Sequence, residues 1–138
     1  MRFKDRELLK TACTHRHILN EPAGRGLKNY ERLEFLGDAV LGLVVSEKLY
    51  RETEGDEGFL TRQKADLVNN ENTAKVAGGL GLWEHLLLSE SEKHRSPNAA
   101  ILSSVYEAIL GAIYLDQGYP AVCGFVDRTL NIGSGHHK

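Results

Sequence analysis

Asn29-Tyr30-Glu31-Arg32-Leu33-Glu34-Phe35-Leu36-Gly37-Asp38-Ala39-Val40-Leu41 is the stretch on which the fold turns. Extended to Arg51, it sets Leu33, Leu36, Val40, Leu43 and Val44 at steps of three and four, the recurrence of an apolar helix face. This predicts a long helix over 30–51. The same period puts Glu31, Glu34 and Asp38 on one stripe, because residues three and four apart stack along a helix. Three stacked carboxylates repel one another, and Arg32, two positions from Glu34, cannot face them. A solvated acidic face is one reading. The other is a cation site, and the Phe35, Leu36 and Gly37 lying between Glu34 and Asp38 favour it, since a solvent face needs neither the glycine nor the apolar flanks. Hard oxygen donors of this kind suit Mg²⁺, with Mn²⁺ as substitute, and not zinc.

Working outward, the helical period persists. Residues 5–13 place Leu8, Leu9 and Ala12 together. Gly55-Asp56-Glu57-Gly58 interrupts the pattern, with Asp56 a fitting cap for a helix running to 69. Helices are expected over 72–80, over 99–116 with Ile101, Val105, Ile109 and Ile113 in line, and from Pro120 to 130. No run alternates as a strand does, and no repeat is visible. The expectation is an all-α helical bundle, one domain over 1–130. Residues 131–138 read as a flexible tail whose Gly-Ser-Gly and His136-His137 resemble an expression scar more than a metal site. The glycines Gly78, Gly79 and Gly81 read as a helix end and not as a nucleotide loop.

Composition bounds the function. With 41% hydrophobic and 26% charged residues in 138, the chain is that of an ordinary globular domain. No stretch approaches the roughly 20 apolar residues of a membrane span, and the N-terminus is charged at once, so a cytoplasmic location without membrane attachment is expected. Cys13 and Cys123 are too few and too distant for a disulfide framework and read as buried thiols. A formal charge of −2 argues against nucleic-acid binding through bulk positive charge, so any RNA contact must use a local basic patch and bound cations.

A second informative acid stands in Ser103-Ser104-Val105-Tyr106-Glu107-Ala108-Ile109-Leu110-Gly111-Ala112-Ile113-Tyr114-Leu115-Asp116. Glu107 is the one charge between Arg95 and Asp116, and a lone glutamate in an apolar helix is either paired or coordinating. Ser104 lies one turn before it. If this helix crosses the earlier one, Glu34, Asp38 and Glu107 can converge on one ion.

Glu31-Arg32-Leu33-Glu34-Phe35-Leu36-Gly37-Asp38 resembles the ribonuclease III signature residue for residue. Ile101-Leu102 through Glu107-Ala108 to Gly111–Asp116 resembles that family's second catalytic helix, and Thr14-His15-Arg16 its opening element, so that the resemblance runs from about 7 to 127. It implies a dimeric endonuclease domain that hydrolyses double-stranded RNA, one site per strand, leaving 5′-phosphates and short 3′ overhangs. Carried over by position, Glu34, Asp38 and Glu107 are metal ligands, Asp38 and Glu107 are also catalytic, Glu31 and Glu57 assist at the cleavage site, and Phe35 enters the homodimer interface. Without the resemblance Phe35 is a core aromatic, and His15 is a hydrogen-bonded structural histidine, not a base. Arg62, Lys64, Lys93 and Arg95 are candidate phosphate contacts.

Two departures matter. Where the family has an aspartate three residues before the second-motif glutamate, this chain has Ser104, whose hydroxyl can reach a metal ligand sphere but brings no charge. Bacterial members of that family usually carry a separate double-stranded RNA-binding domain after this one, and none is expected within these 138 residues, which read either as a naturally short form or as an excised catalytic domain. The leading expectation is a metal-dependent endoribonuclease. Ser104 keeps open a catalytically weak or inactive module that binds RNA structurally, and a purely protein-binding bundle is the third reading.

Overall fold

The computed structural model describes residues 2–131. Its elements are α1 (Arg6–Ala12), α2 (Glu31–Glu52), α3 (Glu57–Val68), α4 (Asn70–Gly79), α5 (Glu90–Lys93), α6 (Ala99–Gln117) and α7 (Tyr119–Leu130), with 3-10 turns at Arg16–Asn20, Pro22–Gly24 and Leu82–His85. The domain is all-α. Among the described residues, extended pairing is confined to one parallel bridge between Thr14 and Leu87.

Local chemistry sets the helix ends. Asp5 accepts from the Glu7 N–H, Asp56 from Phe59, Asn69 from Asn72 and Asn98 from Ile101, each satisfying a donor that the first turn leaves open. Pro120 sits in the first turn of α7, where a missing N–H costs nothing. Helix α4 begins two residues earlier than the apolar period suggested, because the Asn69 cap overrides the pattern. The turns and the four-residue α5 were not foreseen; they are too short to show a period.

Helix α6 is the axis of the core. Its Val105, Tyr106, Ala108, Leu110, Ala112 and Ile113 are wholly inaccessible, and Leu41, Val44, Val45 and Leu49 of α2 pack with them. By length and composition Ala99–Gln117 could cross a membrane, which corrects the expectation that no segment is apolar enough. Its residues are mostly buried inside the domain, which is what a central helix needs. Both cysteines are free; Cys13 is buried, whereas Cys123 is half-buried, not fully covered as expected.

Helices α2 and α6 cross through glycine. A Cβ on Gly37 would stand 1.6 Å from the Glu107 carbonyl oxygen, and one on Gly111 would stand 2.4 Å from that of Leu33. The two main chains therefore touch without any intervening side chain. This close approach brings the acids of α2 beside Glu107.

Candidate active site

Glu31, Glu34, Phe35, Asp38, Ala39 and Glu107 line one shallow cleft of about 390 Å³. Helix α2 supplies the acids from successive turns, and α6 supplies Glu107 across the glycine crossing. Glu107 is 7% exposed, while Glu34 is half-buried and Asp38 and Glu31 are exposed, so the cleft grades from a buried carboxyl to a solvated rim.

The electrostatics are unbalanced. Among the described residues no lysine, arginine or histidine pairs with Glu34, Asp38 or Glu107. Burial first, then the charge of Asp38 and a hydrogen bond to it, then the charge of Glu34, push the Glu107 carboxyl up to about 8. A carboxyl buried beside two others, with no cationic side chain paired to any of the three among the described residues, fits a divalent cation: Glu34, Asp38 and Glu107 could hold it, and their oxygens are the donors Mg²⁺ prefers.

Ser104 is not among the residues lining the cleft. Its hydroxyl donates to Glu34 Oε2 at 2.8 Å, tying the α2 carboxylate to α6. Tyr30 is buried close to Ser104 and Glu34, its hydroxyl pushed up to about 12 by burial and then by the charge of Glu34. Sequence reasoning missed Tyr30, which sits at the helix boundary and has no period of its own. It also missed Arg16, whose guanidinium reaches Glu31 at 3.5 Å. Lys64 of α3 shares a second groove, of about 530 Å³, with Asp38, Gly42 and Leu43.

The remaining candidates lie elsewhere. Glu57 opens α3, exposed, with the Thr61 hydroxyl donating to it at 3.3 Å, and it does not line the acidic cleft. Arg62 and Lys64 are on α3, whereas Lys93 is on α5, bonded to Glu90 at 3.2 Å, and Arg95 follows it. Phe35 is 83% exposed, which removes the core reading of this ring. Leu43, expected on the buried face, is 57% exposed, and Tyr50 is 79% exposed. At 100° per residue, Phe35, Ala39, Leu43 and Tyr50 fall within roughly a quarter turn, an apolar stripe beside the acidic one. His15 is buried; its Nδ1 accepts the His17 backbone N–H at 3.2 Å. His136 and His137 lie outside the described residues.

The profile of the family described as Ribonuclease-III-like matches residues 5–132. Ribonuclease 3 of Geobacter metallireducens is 44% identical over 134 residues, covering 94% of this chain and 54% of that protein. Ribonuclease 3 of Leifsonia xyli is 48% identical over 129 residues, covering 91% and 54%. The chain thus spans about half the length of these relatives. The nuclease domain of ribonuclease III from Campylobacter jejuni, described for flexibility in the region involved in its dimer formation, superposes with a TM-score of 0.81 at 38% identity, covering 97% of this chain and 92% of that one. With the signature acids in one cleft and near-complete overlap with a solved nuclease domain, the chain belongs to the Ribonuclease-III-like family.

Proposed function

We propose that this domain is a divalent-cation-dependent endoribonuclease that hydrolyses phosphodiester bonds of double-stranded RNA, leaving 5′-phosphates and short 3′ overhangs. The observation that carries the reading is the group of three carboxyls without a cationic partner, Glu107 buried beside Asp38 and Glu34. Those three hold the cation, Mg²⁺ or Mn²⁺. When bound, it supplies activation of water at neutral pH and stabilisation of charge on the phosphate and the leaving 3′ oxygen.

The chain's own residues do the rest. Ser104 fixes the orientation of Glu34 by donating to its Oε2. Glu31, which Arg16 reaches, would meet the scissile phosphate at the rim of the cleft, and Asp38 and Glu107 would take and return protons there. Arg62 and Lys64 meet phosphates along one side and Lys93 and Arg95 along another, giving recognition by duplex shape, not by sequence. Binding through so few cations is weak and salt-sensitive. Two copies pair through the exposed stripe of Phe35, Leu43 and Tyr50, which sets the two clefts on one duplex. In that arrangement Glu57 serves a cleavage site across the dimer interface.

A second reading, an RNA-binding module that does not cut, draws on Ser104, which leaves three carboxylates where the family pattern supplies four. Incubation with long duplex RNA and Mg²⁺ or Mn²⁺ separates the two. Short duplex products that vanish in Glu107→Gln and Asp38→Asn support the nuclease; duplex binding without cleavage in either metal overturns it.

A further inference from the structure

The segment leading into α2 and the short helix α5 together carry another group of ligand-type side chains, none of which lines the cleft. We propose that His15, His17 and Glu92 form a site for a transition-metal cation of the Zn²⁺ class, separate from the carboxylate centre. Two imidazoles meet one carboxylate: His15 Nδ1 lies 3.1 Å from Glu92 Oε1, and His17 Nδ1 lies 3.1 Å from Glu92 Oε2. One ligand atom from each residue lies within 4.8 Å of the other two. Bonds of roughly 2.0–2.1 Å at a tetrahedral ion set neighbouring donors slightly more than 3 Å apart, so small side-chain rotations close the group.

Hydrogen bonding alone leaves the cluster in conflict. His15 Nδ1 accepts the His17 N–H at 3.2 Å, which requires its lone pair. That lone pair then faces Glu92 Oε1 at 3.1 Å, acceptor against acceptor. A proton on the same nitrogen satisfies Glu92 but strands the His17 N–H. A cation between the imidazoles and the carboxylate relieves the facing of Nδ1 and Oε1, although, like the proton, it takes that lone pair from the His17 N–H.

The ligands stand on pinned backbone. The His15 N–H donates to the Leu87 carbonyl at 3.0 Å, the Leu87 N–H to that of Cys13 at 2.8 Å, and the Tyr30 N–H to that of Thr14 at 3.0 Å. The Ser89 hydroxyl donates to Glu92 Oε1 at 3.0 Å, the outer contact that orients a ligating carboxylate. His15 and Glu92 are shielded, at 7% and 13% side-chain exposure, while His17 is half exposed and gives the entry path. Two imidazoles and one carboxylate select zinc-class ions over magnesium and leave a fourth position open to solvent.

The test titrates Co²⁺ and Zn²⁺ into the full chain carrying His136→Ala and His137→Ala, in excess Mg²⁺ to fill the carboxylate cleft. The expected result is one equivalent of Co²⁺ with the intense visible bands of four-coordination, displaced by Zn²⁺. In that background, His17→Ala and Glu92→Gln each weaken binding about tenfold or more, and Glu34→Gln with Asp38→Asn leaves it unchanged. Circular dichroism of His17→Ala, a half-exposed position, checks that the fold persists. Binding of equal strength in His17→Ala or in Glu92→Gln overturns the site, as does Co²⁺ binding that depends on Glu34 and Asp38. Loss of nuclease activity bears only on the carboxylate cleft, so failure of one reading leaves the other standing.

Discussion

At the scale of the residue, Ser104 and Glu107 divide the work of the cleft. Ser104 spends its hydroxyl on Glu34, supplying orientation where the resembling family supplies charge. Replacing it by aspartate adds a fourth carboxylate beside Glu34. Ser104→Asp should therefore tighten Mg²⁺ binding and raise the cleavage rate, each by about tenfold, since a charge one turn from a ligand acts at short range; unchanged titration and rate would remove Ser104 from the neighbourhood of the ion. Glu107 sets the pH dependence. Its carboxyl is held up to about 8, so the metal-free protein keeps that proton at neutral pH, and a cation must displace it. Mg²⁺ affinity should then rise by up to about tenfold per pH unit and level off above about 8. Calorimetry at pH 7 in buffers of different ionisation heat should register roughly one proton released. Without metal the linkage runs the other way: the raised carboxyl favours the folded state at low pH, and that contribution is lost as pH climbs through about 8. Melting of the metal-free and Mg²⁺-loaded forms from pH 5 to 9 reads the difference.

At the scale of the element, the glycine crossing is the feature most exposed to mutation. A methyl on Gly37 meets main chain of α6 and cannot be relieved by a rotamer. Gly37→Ala should cost about 3 kcal/mol or more, at the upper end of overpacking effects, and should part Glu107 from Asp38; chemical denaturation together with Mg²⁺ titration measures both. Much of this level was legible beforehand. The steps of three and four in α2 and α6 are a direct imprint of burial, and the Asp56 cap and the first-turn Pro120 announce themselves by residue type. Leu43 was misplaced because apolar character marks a face as hidden from water without saying what hides it. The turns at Arg16–Asn20 and Leu82–His85, and α5, follow from tertiary contacts such as Thr14 with Leu87, which join segments more than seventy residues apart and leave no local trace.

At the scale of the whole molecule, the exposed apolar stripe on α2 is out of place on an isolated domain. If two copies cover it, Phe35→Ala should shift sedimentation towards the monomer, weakening association about a hundredfold as loss of a buried aromatic anchor does; a dimer of undiminished strength would free Phe35 of that role. The sequence named the acids of the cleft, because charges embedded in an apolar helix stand out, but it could not tell which of them meet in one cleft. Glu57 opens a different helix and lies outside that cleft, and His17 gains meaning only beside Glu92, seventy-five residues away. The meeting of α2 and α6 has one more consequence. A joint made of bare peptide behaves like a hinge pin with no bushing: the offset between its two arms is fixed by bond lengths and atomic radii, not by upholstery. Functional groups hung on those arms can be exchanged, as a carboxylate for the hydroxyl of Ser104, and the reach between the survivors stays as it was.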